Sequence, residues 1–134
     1  MTYDLTFGLV HDYSNAEAIR VPVTLRSGKD ETTFNAYLDT GSSLCVFERG
    51  HAELLGLKVE SGALVHISTV TGSFDAYGHM LNLETLGYSF DVTVYFAAHE
   101  SYKRNVLGRR GWLDQVRLGL IEYESKLYLS RYES

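Results

Sequence analysis

Asp39, Thr40 and Gly41 stand at the end of an apolar run, Phe34 to Leu38, and are followed by Ser42 and Ser43. A carboxylate delivered by apolar chain is costly to bury unless something pairs with it. Two uses of Asp39 fit that placement. In one it bonds its own backbone in an Asx-type turn at a strand end. In the other it is held for proton transfer, with Gly41 allowing a close backbone approach and the Thr40 hydroxyl locking the loop.

Other reactive side chains have weaker claims. Ser42 and Ser43 lack a Gly-x-Ser-x-Gly elbow, so a serine nucleophile has no support. His11, His51, His66, His79 and His99 are scattered without His-x-x-x-His or His-Glu-x-x-His spacing, and no metal site is expected. Gly108-Arg109-Arg110-Gly111 lacks the Gly-Lys-Ser/Thr ending of a phosphate loop. Lys103, Arg104, Arg109 and Arg110 read as a solvated basic face around a turn, with a place near an interface between copies as the alternative. The single cysteine, Cys45, cannot form an internal disulfide and reads as a small buried hydrophobe.

The elements that must position Asp39 are mainly strands. Val21, Val23 and Leu25 alternate with polar or exposed partners, and Phe34, Ala36 and Leu38 do the same across a Ser27-Gly28-Lys29-Asp30 turn, which predicts a hairpin. Pro22 removes one ladder donor, so its position should face solvent or a bulge. A second hairpin joins His79–Leu83 to the alternating run Phe90, Val92, Val94, Phe96 through Leu86-Gly87-Tyr88. A third joins Leu118–Tyr123 to Lys126–Arg131, with Tyr123, Tyr128 and Tyr132 as ordinary strand residues or interface tyrosines. Helical signal is confined to Arg49–Leu55, ended by Gly56, and to one or two turns around Trp112, Leu113 and Val116.

The chain has 134 residues, enough for one domain that buries roughly two thirds of its unfolded surface. Its formal net charge of −5 argues against nucleic acid as a partner. No apolar run reaches a membrane span of about 18 residues, and Met1–Asp4 show no secretory signal. With a single cysteine, a reducing cytoplasm is the expected location.

Three features in order raise the significance of Asp39. These are the strand pair leading into Asp39-Thr40-Gly41-Ser42, the interrupted β segment Ile67–Phe74, and Asn105-Val106-Leu107-Gly108-Arg109 followed by a short helix. In this arrangement, from about Val21 to Tyr132, the chain resembles the single-domain, retroviral-type aspartic proteases, the retropepsins. The resemblance implies an all-β, closed-barrel acid-protease fold with one or two short helices, occupying 1–134 as one domain. It implies Asp39 as the catalytic aspartate and Thr40, Gly41 and Ser42 as the active-site loop. Thr40 would interlock with a second loop, and Ser42 would touch the carboxylate. Val70, Thr71, Gly72 and Ser73 would form the flap over substrate, its tip at Thr71-Gly72-Ser73. Leu107, Gly108 and Arg109 would brace the loop from below.

Some positions depart from the family pattern. Thr69 stands where pepsin-type relatives carry a flap tyrosine, which agrees with the retroviral type. Ser43 replaces the acidic residue that pairs with the later arginine in viral enzymes, so Arg109 needs another partner, with Glu48 the candidate. The flap is poorer in glycine than in the viral enzymes.

Hydrolysis of this kind needs two carboxylates sharing one proton. The chain has one Asp-Thr-Gly, so the second carboxylate must come from another copy. The expected entity is a homodimeric endopeptidase acting on peptides or proteins without metal or organic cofactor. Its interface would draw on Thr2–Val10 and Leu118–Arg131. The alternative is a catalytically silent dimerisation or peptide-binding module on the same fold.

Overall fold

A computed structural model describes residues 1–132; the last two residues of the span read as one domain, 133 and 134, lie outside them. The strands are β1 (Leu9–Asp12), β2 (Arg20–Ser27), β3 (Asp30–Leu38) and β4 (Val46–Phe47), then β5 (Ala63–Thr69), β6 (Gly72–Thr85) and β7 (Tyr88–Ala97), then β8 (Val106–Leu107), β9 (Val116–Ile121) and β10 (Lys126–Arg131). One α-helix, α1 (Arg49–Leu54), lies between β4 and β5.

The predicted hairpins form. β2 and β3 pair from Arg20↔Tyr37 to Ser27↔Asp30, leaving Gly28-Lys29 as a two-residue loop. Gly28 has φ +61°, the glycine-first geometry of a type II′ turn. β6 and β7 pair down to Thr85↔Tyr88 around Leu86 and Gly87, both at positive φ, as a type I′ turn requires. Pro22 pairs only with Asn35 of β3, because the second neighbour of β2 begins at Val23.

The sheet closes on itself. Its order runs β2-β3-β8-β4-β7-β6, and β6 returns to β2 through Val23↔Thr85 to Arg26↔Asn82. The barrel is therefore the closed all-β form expected. β5 hangs from the far end of β6, outside the ring, and the two make a projecting hairpin. Inside, the alternating residues meet: Val21, Val23, Leu25, Leu83, Val94 and Phe96 are all fully buried. Burial of a side chain of this size is worth about 1.5–3 kcal/mol, which is why the alternation specifies the register so strongly. Trp112 is also fully buried, and its indole N–H donates to Thr85 Oγ1 at 2.8 Å.

α1 stops where glycine permits it. Gly56 has φ +72°, Gly56 N–H donates to Glu53 O at 3.0 Å and Leu57 N–H to Ala52 O at 3.0 Å, the double bond of a Schellman ending. The second predicted helix forms at the lower end of the one or two turns expected, and as 3₁₀. After Gly111 (φ +102°) and Trp112, whose backbone is not helical, only a 3₁₀ turn at Leu113–Gln115 precedes β9.

A separate three-stranded sheet, β1-β10-β9, gathers the two ends of the chain. The strand β1 was not evident in the sequence; its alternation covers only four residues. Tyr128 lies in β10, whereas Tyr123 sits in the 3₁₀ turn between β9 and β10 and Tyr132 follows the last strand.

Candidate active site

β3 carries Asp39 to the rim of the barrel, and β8 holds it there. Tyr37 and Leu38 pair in parallel with Val106 and Leu107, and Asp39 N–H donates to Leu107 O at 3.0 Å. Beyond the turn, Arg109 N–H donates to Ser42 O at 2.9 Å and Arg110 N–H to Ser43 O at 3.0 Å. The loop 39–43 is thus tied at both ends to the segment 107–110. Gly108 is required at their crossing: a Cβ there would lie 2.2 Å from Leu44 O and 2.7 Å from Ser42 O. Beneath it the Gly108 N–H points at Cys45 Sγ, 3.3 Å away. Burial pushes the Cys45 thiol up to about 12, so it stays neutral.

Within the loop, Gly41 N–H donates to Asp39 Oδ1 at 3.0 Å, and Ser42 N–H closes a turn onto Asp39 O at 3.2 Å. The Asx-type bond weighed against proton chemistry is therefore present. It leaves Asp39 Oδ2 without a hydrogen bond from the described residues and the side chain part-exposed. The Ser42 hydroxyl donates to Leu44 O at 2.7 Å, and among the described residues it makes no hydrogen bond to the carboxylate. The exposed Thr40 hydroxyl has no hydrogen-bond partner among the described residues.

Between this loop and the β5–β6 hairpin lies a cleft of about 840 Å³. Asp39, Gly41 and Ser42 line one side, and Ile67, Thr69, Val70 and Thr71 the other. The hairpin tip falls one residue earlier than read from the sequence. Thr69 pairs with Gly72, so Val70-Thr71 is the loop, while Gly72 (φ +149°) and Ser73 are already in β6 and do not line the cleft. The Thr69 hydroxyl donates to Gly72 O at 2.9 Å and closes the tip. Val70 is fully exposed.

The basic cluster separates into two faces. Arg109 and Arg110 border a neighbouring concavity with Thr40, Ser43 and Asp114, whereas Arg104 faces the cleft. Arg109 does not pair with Glu48. That carboxylate accepts from Asn105 Nδ2 at 2.8 Å, and Asn105 Oδ1 accepts from Glu48 N–H at 2.9 Å. Arg104, Tyr102, Phe74 and Val46 were not evident as cleft residues in the sequence, since each depends on a non-local packing partner. Phe74 near the start of β6 and Tyr102 in the loop between β7 and β8, for instance, meet ring to ring at 4.8 Å. Burial raises the Tyr102 phenol above its usual range, with Arg104 acting against the rise and Asp39 and Glu48 adding to it.

Among the described residues no cluster of His, Cys, Asp and Glu is arranged to hold a metal ion, and no helix is long and apolar enough to cross a membrane.

Comparison with known proteins agrees with this architecture. No curated protein matches the sequence. Among solved structures, a retropepsin-like aspartic protease from Rickettsia conorii is similar over 91% of this chain and 97% of its own, with a TM-score of 0.66 and 14% identity. EIAV protease, solved with the inhibitor HBY-793, is similar over 72% of this chain and 86% of its own, with a TM-score of 0.55 and 20% identity. At these identities the likeness is one of fold, and the fold is retropepsin-like. The family model described as aspartyl protease matches residues 21–110, a span that runs from the first barrel strand through the Asp39 loop to its brace, and the chain belongs to that family.

Proposed function

We propose that this chain is an aspartic endopeptidase that works as a homodimer, its catalytic pair formed by Asp39 of two copies. The observation that carries the reading is the position of Asp39, part-exposed at the edge of a cleft of about 840 Å³ and opposite a projecting hairpin. That volume lies within the range of small-molecule and peptide sites.

A dimer is supported by what a single copy leaves open. The Thr40 hydroxyl is available to bond a second loop across a twofold axis. β1 and β9 each expose an outer edge, and Tyr3, Leu5, Val10, Leu120 and Ile121 are exposed apolar side chains in or beside that sheet. In the dimer the two carboxylates share one proton, because like charges held close cannot both ionise. The ionised Asp39 takes a proton from a water, whose oxygen attacks the peptide carbonyl carbon. The protonated Asp39 gives its proton to the carbonyl oxygen. The tetrahedral intermediate then collapses: one of its hydroxyls returns a proton to the ionised Asp39 as the carbonyl re-forms, the C–N bond breaks, and the leaving nitrogen receives a proton from the other Asp39, which restores the singly protonated pair. Gly41 N–H orients one carboxylate oxygen, Leu107, Gly108 and the Arg109 backbone hold the loop, and Val70 and Thr71 cover the substrate while Gly72 and Ser73 shape the hairpin. The buried neutral thiol of Cys45 suits a reducing compartment such as the cytoplasm.

The test is Asp39→Asn, which keeps the size of the side chain and removes the base. Peptide cleavage should fall by about 10³-fold or more, with fold and sedimentation unchanged. Cleavage near the wild-type rate would overturn the assignment. Peptide binding without cleavage by the wild-type protein would instead identify a silent binding module.

A further inference from the structure

We infer that Arg104 makes the cleft selective for peptides carrying a carboxylate side chain beside the scissile bond. The inference rests on the peptidase reading above. Among the residues lining the cleft, Asp39 supplies the one carboxyl group and Arg104 the one guanidinium. Arg104 is exposed, and among the described residues no carboxylate lies within salt-bridge distance of it. The carboxylate of Glu48 accepts one hydrogen bond from Asn105 Nδ2, and a second runs from the Glu48 backbone N–H to Asn105 Oδ1.

The Arg104 guanidinium rests against β3, the strand that runs into Asp39, on a Tyr37 ring that also carries the Arg20 guanidinium at 5.6 Å. The central carbon of the Arg104 group lies 4.3 Å from the centre of that ring. Tyr37 N–H also donates to Asn105 O at 2.8 Å, which pins the segment next to Arg104 onto β3. Ring and backbone together reduce the entropy that an exposed arginine loses on binding. A guanidinium resting on an aromatic face still presents its edge N–H groups, which suit a carboxylate in the bidentate geometry.

The charge balance sharpens the effect. The chain carries a formal net charge of −5, and an ionised Asp39 repels a neighbouring carboxylate. Without Arg104, acidic peptides would be the poorest substrates rather than the preferred ones. In the dimer a second Arg104 stands on the other side of the pair, so acidic residues are favoured on either side of the cut. Screening shortens electrostatic reach to about 8 Å at physiological salt, and the preference should fade as salt rises.

The experiment is a mass-spectrometric survey of cleavages in a randomised peptide library by wild type, Arg104→Leu and Arg104→Glu, with folding checked by circular dichroism. Wild type should enrich Asp and Glu beside the cut, with kcat/KM for a Glu peptide roughly tenfold above its Gln counterpart. Arg104→Leu should disfavour acids, and Arg104→Glu should turn the preference toward Lys and Arg. The same preference in all three proteins would overturn the inference. In parallel, the fluorescence anisotropy of labelled Glu and Gln peptides is measured on Asp39→Asn. If wild type cleaves nothing, the peptidase reading fails, and the same binding compared between Asp39→Asn and Asp39→Asn/Arg104→Leu decides Arg104 by itself: a preference for the Glu peptide that the double variant loses supports it, and an equal preference in both, or no binding, overturns it.

Discussion

Replacing Gly108 by alanine introduces a single methyl group at the point where the Asp39 loop crosses its brace. That methyl carbon would lie 2.2 Å from Leu44 O, 2.7 Å from Leu44 C and 2.7 Å from Ser42 O. Ordinary non-bonded separations are about 3.5 Å, so the backbone at Leu44 must retreat by roughly 1 Å. All three clashing atoms are backbone, and no rotamer change relieves them. The bonds Arg109 N–H to Ser42 O (2.9 Å) and Arg110 N–H to Ser43 O (3.0 Å) cannot survive that retreat. Two lost backbone hydrogen bonds, with groups left incompletely satisfied, cost about 2–4 kcal/mol. For a chain of this length the loss corresponds to a fall in Tm of roughly 8–15 °C. The assay is urea and thermal unfolding at one fixed protein concentration, since assembly contributes to apparent stability. Gly50→Ala is the control: nothing lies within 4 Å of its Cβ, and alanine in α1 should be neutral or stabilising by up to about 1 kcal/mol. If Gly108→Ala is as stable as wild type, the close-approach argument for the brace is wrong.

Three further outcomes follow from buried groups. His51 stacks on Phe34 at 3.8 Å and its buried Nδ1 has no hydrogen-bond partner among the described residues; burial lowers its pKa despite the opposing pull of Glu48. Its neutral form is therefore favoured by folding, so its contribution is complete above about pH 6.5 and lost as pH falls below that. His51→Phe should lose less stability than wild type between pH 7 and pH 5, and parallel pH curves for the two proteins would refute this. Cys45 should resist a thiol reagent in the native protein and react only on unfolding, because its thiol is buried and held neutral; rapid native labelling would contradict its placement. Thr85→Val removes the acceptor of the Trp112 N–H at full burial and should cost about 1–3 kcal/mol by urea unfolding, whereas a change under 0.5 kcal/mol would show that the indole finds another acceptor.

Several features were legible in the residues because they depend on neighbours in sequence. The alternation of Val21, Val23 and Leu25, and of Phe90 through Phe96, fixed which face each strand buries, since a slip of one residue would expose the entire set. Gly28, Leu86-Gly87 and Gly56 marked two hairpin turns and a helix ending through backbone conformations that are local. The run into Asp39-Thr40-Gly41 located the carboxylate at a strand end. The tertiary structure decided what depends on distant partners. β4 and β8 are two residues each, too short for any periodicity, and exist because parallel neighbours supply their hydrogen bonds. The hairpin tip moved to Val70-Thr71 because register along the whole of β5 and β6, rather than turn-forming tendency at Gly72, sets the loop. Asn105 claims Glu48 and leaves Arg109 without it, and the Arg104 guanidinium settles on the Tyr37 ring. A charged side chain on an exposed turn has many low-energy directions, and its direction is chosen by the surfaces that folding brings beside it, which sequence spacing does not encode.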